Sequence, residues 1–225
     1  MKFRCRVCGQ DLLEQPSLGL CTYCGREECS DWTCPGGHYT CEACRTAGSN
    51  DLLERTCLHS DARNPLALAE LLLHHPAFHA YGEEHHSLAA PVLLAVLRNR
   101  GVPGATDEGI RTAIGRLQGI PISVCGTRGD CGAAASAGTV ISILRGATPL
   151  SDGARTEALR ATAQVLLRIA ERGGPRCCKQ SVFDTLCCTW ERLQDELGLE
   201  ALPAHICAFA GQLKDCKTAR CPYFG

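Results

Sequence analysis

The sequence is short of aromatic residues, which make up 5% of it, and it carries almost no net charge, −1 over 225 residues. With so few large rings, a core must be built from Leu, Ala, Val and Ile, a set that favours helices over a β-sandwich. The balanced charge, with a pI near 6.7, lacks the bulk electrostatic footprint of a nucleic-acid binder. Nucleic acid is therefore a weak expectation that would need a local basic patch. Long apolar runs are missing too. No stretch approaches ~18 uninterrupted apolar residues, so no membrane span is expected. Met1-Lys2-Phe3-Arg4-Cys5 runs directly into a CxxC pair, with no apolar segment of the signal-peptide kind.

Cysteine is what the chain has in excess, at 18 residues. A secreted chain would pair these as disulfides, whereas a cytosolic one would use them as metal ligands or redox groups. The start of the chain favours the second, so a cytoplasmic protein with reduced, largely metallated thiols is expected.

Residues 1–46 are dense in Cys and Gly and read as a zinc-binding ribbon or knuckle module. Cys5-Arg6-Val7-Cys8-Gly9 and Cys21-Thr22-Tyr23-Cys24-Gly25 each set two thiols on a tight turn, followed by a glycine that relieves the backbone. Twelve residues separate the two pairs. A third group, Cys34, His38, Cys41 and Cys44, has the form CxxxHxxCxxC. The segment is too small and polar to bury its own core, so metal must supply much of its folding free energy. One or two zinc ions are expected in closed, four-coordinate sites. Two connectivities compete. In the sequential one, Cys5, Cys8, Cys21 and Cys24 share one ion and Cys34, His38, Cys41 and Cys44 another. In the interleaved one, Cys21 and Cys24 join Cys41 and Cys44, and Cys34 and His38 turn to Cys57 and His59. The sequential version is favoured because it leaves no orphan CxxC; Cys29 is a reserve ligand for the second site. Docking of a protein partner is the functional use such a ribbon suggests, and without a Lys/Arg–aromatic stripe RNA is the weaker choice.

After a short linker near residues 45–62 the character changes, and 62–225 reads as an α-helical, Cys/His-rich domain. Leu66, Ala69, Leu72 and Leu73 recur at helical spacing up to Pro76. Ser87–Arg100 is an apolar helix closed by Gly101. Thr106 caps Asp107–Leu117, residues 130–145 form a buried small-residue helix, and Ser151 caps a helix running to Arg172. A last helix covers about 177–197, and the tail from 199 is loop-like. The expected fold is mainly α: a bundle of five to six helices with a small N-terminal zinc-ribbon-like module.

Residues 74–86 hold five histidines and two glutamates in thirteen positions. Glu84, His85 and His86 stand just before an apolar helix. They read either as a polar surface loop or as a metal or acid/base site, with Glu orienting a histidine. In CGTRGDCGAAASAG, Cys125 and Cys131 bracket a glycine turn. Cys131 falls at a helix N-terminus, where free N–H groups and the helix dipole favour thiolate, and Asp130 is a candidate cap. Cys177 and Cys178 open the last helix, again the thiolate-favouring end, between Arg176 and Lys179. Cys187 and Cys188 sit among Leu and Trp, and at least one reads as core. The tail adds Cys207, Cys216 and Cys221-Pro222, and a Cys-Pro step among spaced cysteines is also a feature of iron–sulfur binding loops.

Together, GEEHH, CGTRGDCGAAASAG, RCCK and CAFAGQLKDCKTARCPYFG, behind a ribbon ending in GHYTCEAC, resemble a prokaryotic family catalogued as domain of unknown function 5714. Members occur mainly in anaerobes, and some are joined to a methyltransferase-like domain. The glycine–cysteine helix is similar to that of probable redox proteins with a C-GCAxxG-C-C pattern. The chain departs from the family pattern at AYGEEHH, where HGPEHH is usual, and at Arg45, where a histidine is usual. No activity comes with the resemblance. The residues point first to a redox or sulfur-handling enzyme. Cys125, Cys177, Cys178, Cys207, Cys216 and Cys221 would hold an iron–sulfur cluster or a second metal. Cys131 would be the reactive thiol, and Glu84, His85 and His86 would handle protons. The rival reading is a non-enzymatic, zinc-stabilised adaptor that docks a protein such as a methyltransferase.

Overall fold

The computed structural model describes residues 3–225. Its N-terminal part is a two-stranded antiparallel hairpin, β1 (Leu13–Leu20) and β2 (Glu27–Thr33), followed by a single helical turn, α1 (Glu42–Arg45). The register pairs Leu13 with Thr33 at one end and Leu20 with Glu27 at the other, with an irregularity between Glu14 and Ser17. Helices make up most of the rest, up to a largely irregular tail from 198: α2 (Ser49–His59), α3 (Pro65–Leu73), α4 (Ala89–Asn99), α5 (Asp107–Leu117), α6 (Val124–Thr127), α7 (Gly132–Leu144), α8 (Gly153–Arg172) and α9 (Cys178–Leu197). The protein is mainly α, with a small zinc-ribbon-like module at the front.

Local signals explain most of the boundaries. Asn64 accepts from the amides of Leu66 and Ala67, and Pro65 takes the first helical position of α3. The Thr106 hydroxyl accepts from the Gly109 amide, as expected of the cap of α5. Two expected caps are not formed. The Asp130 carboxylate turns to Arg128, so Cys131 holds the N-cap of α7 without a side-chain bond. The Ser151 hydroxyl binds the Thr148 amide, which leaves Asp152 before α8. In both cases a closer polar partner within the turn competes with the helix amides.

The stretch read as a linker is also corrected, because Ser49–His59 is helix α2. Leu52, Leu53, Thr56 and Cys57 form its buried face, and Arg98 ties its last turn down by donating to the carbonyls of Cys57, Leu58 and Ser60. A cation at a helix C-terminus also complements the helix dipole. This helix accounts for one more long element than the expected six.

Helix α4 is the axis of the core. Every residue from Ala89 to Leu97 is buried, and α2, α3, α5, α7 and α9 pack around it. Burial of each Leu is worth about 1.5–3 kcal/mol, so this one helix anchors much of the stability. The apolar cluster continues into the ribbon through Cys21, Tyr23, Cys41 and Cys44. Tyr23 meets the His75 ring edge-on at 5.3 Å. No helix among the described residues is long and apolar enough to cross a membrane.

Candidate metal centres and two cysteine-lined cavities

The eight ribbon ligands expected from the sequence gather into two quartets, but neither is sequential. Cys5, Cys8, Cys34 and His38 form one, and Cys21, Cys24, Cys41 and Cys44 the other, with ligand atoms in each within 4.8 Å of one another. The hairpin explains the interleaving. Cys8 precedes β1 and Cys34 follows β2, so antiparallel pairing of Leu13 with Thr33 brings them to the same end. Cys21 and Cys24 lie in the connection at the opposite end. The chain returns there through a parallel bridge between Cys21 and Tyr39, which delivers Cys41 and Cys44. The favoured sequential connectivity is therefore overturned. The interleaved alternative holds for the second quartet alone, because Cys34 and His38 find Cys5 and Cys8. Cys57 is buried in α2, and the His59 ring packs against Gly25, whose space and positive φ admit no larger residue. Cys29 stays exposed in β2, outside both quartets.

The spacings suit single ions. Sγ of Cys8 lies 3.5 Å from Sγ of Cys34, and Sγ of Cys24 lies 3.6 Å from Sγ of Cys41. Sγ of Cys34 is 3.7 Å from Nδ1 of His38. Tetrahedral bonds of about 2.3 Å to one zinc separate the sulfurs by about 3.8 Å. The Gly36 amide donates to Cys34, Cys41 donates to Cys21, and Cys44 donates to Cys41. Burial pushes the Cys5 thiol up to about 11. At Cys34 burial pushes the same way, but bonds from the His38 amide and ring and from the Gly36 amide outweigh it and bring the thiol down to about 6.

The helical part brings its cysteines together in a different form. Cys177, at the start of α9, and Cys207, Cys216 and Cys221 of the tail line one narrow, mainly apolar cavity with Lys179 and Lys217. Its free volume is small, ≈ 20 Å³. The four sulfurs do not close within 4.8 Å as the ribbon quartets do. The Gly211 amide donates to Cys216 Sγ at 3.3 Å, and burial pushes the Cys207 thiol up to about 11. The tail is held across α9 by Tyr223, which donates to the buried Asp184 at 3.0 Å.

An adjoining cavity of ≈ 290 Å³ shares Cys177 and is lined by Cys125, Cys131, Cys178, His85 and His86. Nδ1 of His86 lies 3.0 Å from the Ile120 carbonyl, and the His86 ring packs so closely on Gly132 that any Cβ there would overlap it. His85 is wholly buried, with Nε2 3.4 Å from the Lys179 ammonium. Burial first, and that ammonium second, push its imidazole down to about 3, so it is neutral at physiological pH. Glu84 lines neither cysteine cavity. Its carboxylate accepts from the His79 amide at 2.8 Å and stands 3.5 Å from His85 Nδ1, behind the ring. The segment is thus not a surface loop at Glu84, His85 and His86, although the His79 side chain is exposed.

Cys131 is at a helix N-terminus as expected, but its thiol is raised rather than lowered. Burial outweighs the opposing pull of the nearby Ala134 and Ala133 amides, neither of which is in hydrogen-bond geometry with the thiol. Cys178 is raised for the same reason, beyond what the Gly82 amide and the Arg176 charge offset. Gln180 and Asp184, which also line the larger cavity, went unnoticed in the sequence. Their signal was available: Gln180 and Asp184, at i and i+4 in α9, stand three and seven positions after the N-cap Cys177, and both are buried.

A family model described as Family of unknown function (DUF5714) matches residues 53–224, and the chain belongs to that family. No curated protein and no solved structure matches the chain.

Proposed function

We propose that this DUF5714 protein is a redox or sulfur-handling protein that holds an iron–sulfur cluster between the start of α9 and the C-terminal tail, with Cys177, Cys207, Cys216 and Cys221 as ligands. The observation that carries this reading is the convergence of those four thiols, from distant points of the chain, on one cavity. Their spacing is wider than one tetrahedral ion requires, which favours a polynuclear cluster. Two features fit the charge of such a cluster. An amide donates to a ligand sulfur, and the Lys179 and Lys217 ammonium groups stand beside it. Because the free space is narrow, assembly would be coupled to movement of the tail, as metal binding and folding are coupled in small metal modules. The two ribbon quartets are assigned structural zinc, since both are closed four-ligand sets. Cys131, Cys178 and Cys125, beside His86, supply thiols for chemistry next to the cluster.

Anaerobic purification tests this directly. Iron with acid-labile sulfide is expected alongside zinc, and Cys221→Ser should lose the iron while keeping the zinc. Zinc alone, with no iron or sulfide under anaerobic conditions, removes the cluster. That outcome would favour the adaptor reading, which has its own support in the exposed Leu13, Leu18 and Leu20 of the hairpin. Such a face suits a protein partner of the methyltransferase-like kind.

A further inference from the structure

The larger cavity carries features that neither a cluster nor its ligands require. Helices α7 and α9, of 13 and 20 residues, both begin at it, and their N-cap residues Cys131 and Cys177 provide no side-chain bond to the first amides. Two helix N-termini therefore present unsatisfied N–H groups and partial positive charge to the same space. Arg176 adds a guanidinium at the mouth, stacked over Tyr81 and donating to Ser123, and Lys217 adds an ammonium. The wall also holds two buried polar atoms without partners: Nε2 of Gln180, a donor on a residue 4% exposed, and Oδ2 of Asp184, an acceptor on a residue 0% exposed. Buried groups of this kind are nearly always satisfied, so a molecule in the cavity that offers an acceptor to Gln180 and a donor to Asp184 is favoured there.

We infer that this cavity binds a small hydroxy- or amino-carboxylate. The carboxylate is received by the helix N-termini, Arg176 and the Gln180 amide, and the hydroxyl or amine donates to Asp184. A phosphate dianion suits the site less well, because Asp184 offers it an acceptor rather than a donor. The bound molecule lies against Cys131, Cys178 and His86. Its role as substrate of the adjacent cluster rests on the reading above, whereas the binding site itself does not.

Alkylation kinetics test the inference on the full chain, at mildly alkaline pH, with modified thiols mapped by peptide mass spectrometry. Iodoacetate should modify Cys125, Cys131 or Cys178 with a rate that saturates, while neutral iodoacetamide stays linear with concentration. Glycolate should protect better than acetate, because only glycolate has a donor for Asp184. Arg176→Gln should slow the iodoacetate reaction by about tenfold, the equivalent of one charge-assisted hydrogen bond. Arg176→Lys should keep saturation, and since Arg176 is exposed neither variant threatens folding. Linear kinetics with both reagents, or equal protection by acetate and glycolate, overturns the assignment. Iron measured in the same sample separates the two proposals: saturation without iron sinks the cluster and keeps the carboxylate site, and iron without saturation does the reverse.

Discussion

The ribbon and the α9–tail region use the same residue, cysteine, in opposite ways. In the ribbon, ligand atoms stand within 4.8 Å of one another, in two closed quartets set at the ends of a hairpin. In the helical part, thiols are spread around two cavities and backed by Lys179, Lys217, Arg176 and two histidines. The first arrangement supplies the four ligands that one tetrahedral ion takes, with no ligand position over for chemistry. The second leaves sulfurs, charges and open space side by side. Density of cysteine in the sequence is therefore a guide to metal-dependent folding, and only the spacing of the sulfurs distinguishes a structural ion from a reactive site.

The strongest way to break this comparison is to remove one ribbon ligand. On the proposed assignment of one structural zinc to each quartet, Cys44→Ser should release one of two ions and unfold residues up to about 46, because a structural zinc in a small module contributes about 10–16 kcal/mol. Limited proteolysis should then cut the ribbon while the helical circular dichroism persists. If the ribbon stays resistant and both ions remain, the quartet is not a structural site. Next in size is Leu93→Ala in α4. The lost burial and the cavity left behind should cost about 2–5 kcal/mol in urea unfolding with zinc content unchanged, which would separate the helical core from the metal-dependent part. An equal loss of zinc would show the two regions to be one folding unit.

The smallest effect expected is a dependence on pH. His85 has a folded value of about 3, against an ordinary value of 6.5 when unfolded. Between those values the unfolded chain binds the extra proton, so stability rises with pH. The contribution is complete above about 6.5 and is lost as pH falls toward 3. The urea midpoint should drop between pH 7 and pH 5, and less steeply in His85→Phe. Equal slopes would mean that the imbalance lies elsewhere.

Much of the helical part could be read from the chain, because its signals are local. The Thr106 cap, the small-residue pattern of α7 and the break at Gly173-Gly174-Pro175 each act within one or two turns. Helix α2 escaped notice because its apolar positions are flanked by polar ones and follow a cysteine-rich stretch. Its stability comes from Arg98 and α4, both far away in sequence. The thiols of Cys131 and Cys178 misled for a related reason. Position at a helix start argues for thiolate, but burial depends on what the rest of the chain packs over it.

By itself the sequence determined that the N-terminus would carry metal-ligand sets, which eight residues could serve in them, and that the remainder would be mainly helical. Those properties depend on residue type and on spacing over a few positions. Which ligands share an ion was decided by the antiparallel register of a hairpin, which reverses the chain and sets Cys8 beside Cys34. Which distant thiols meet was decided by the tail crossing α9, where Tyr223 reaches the buried Asp184. Both depend on long-range packing, which spacing along the chain does not encode.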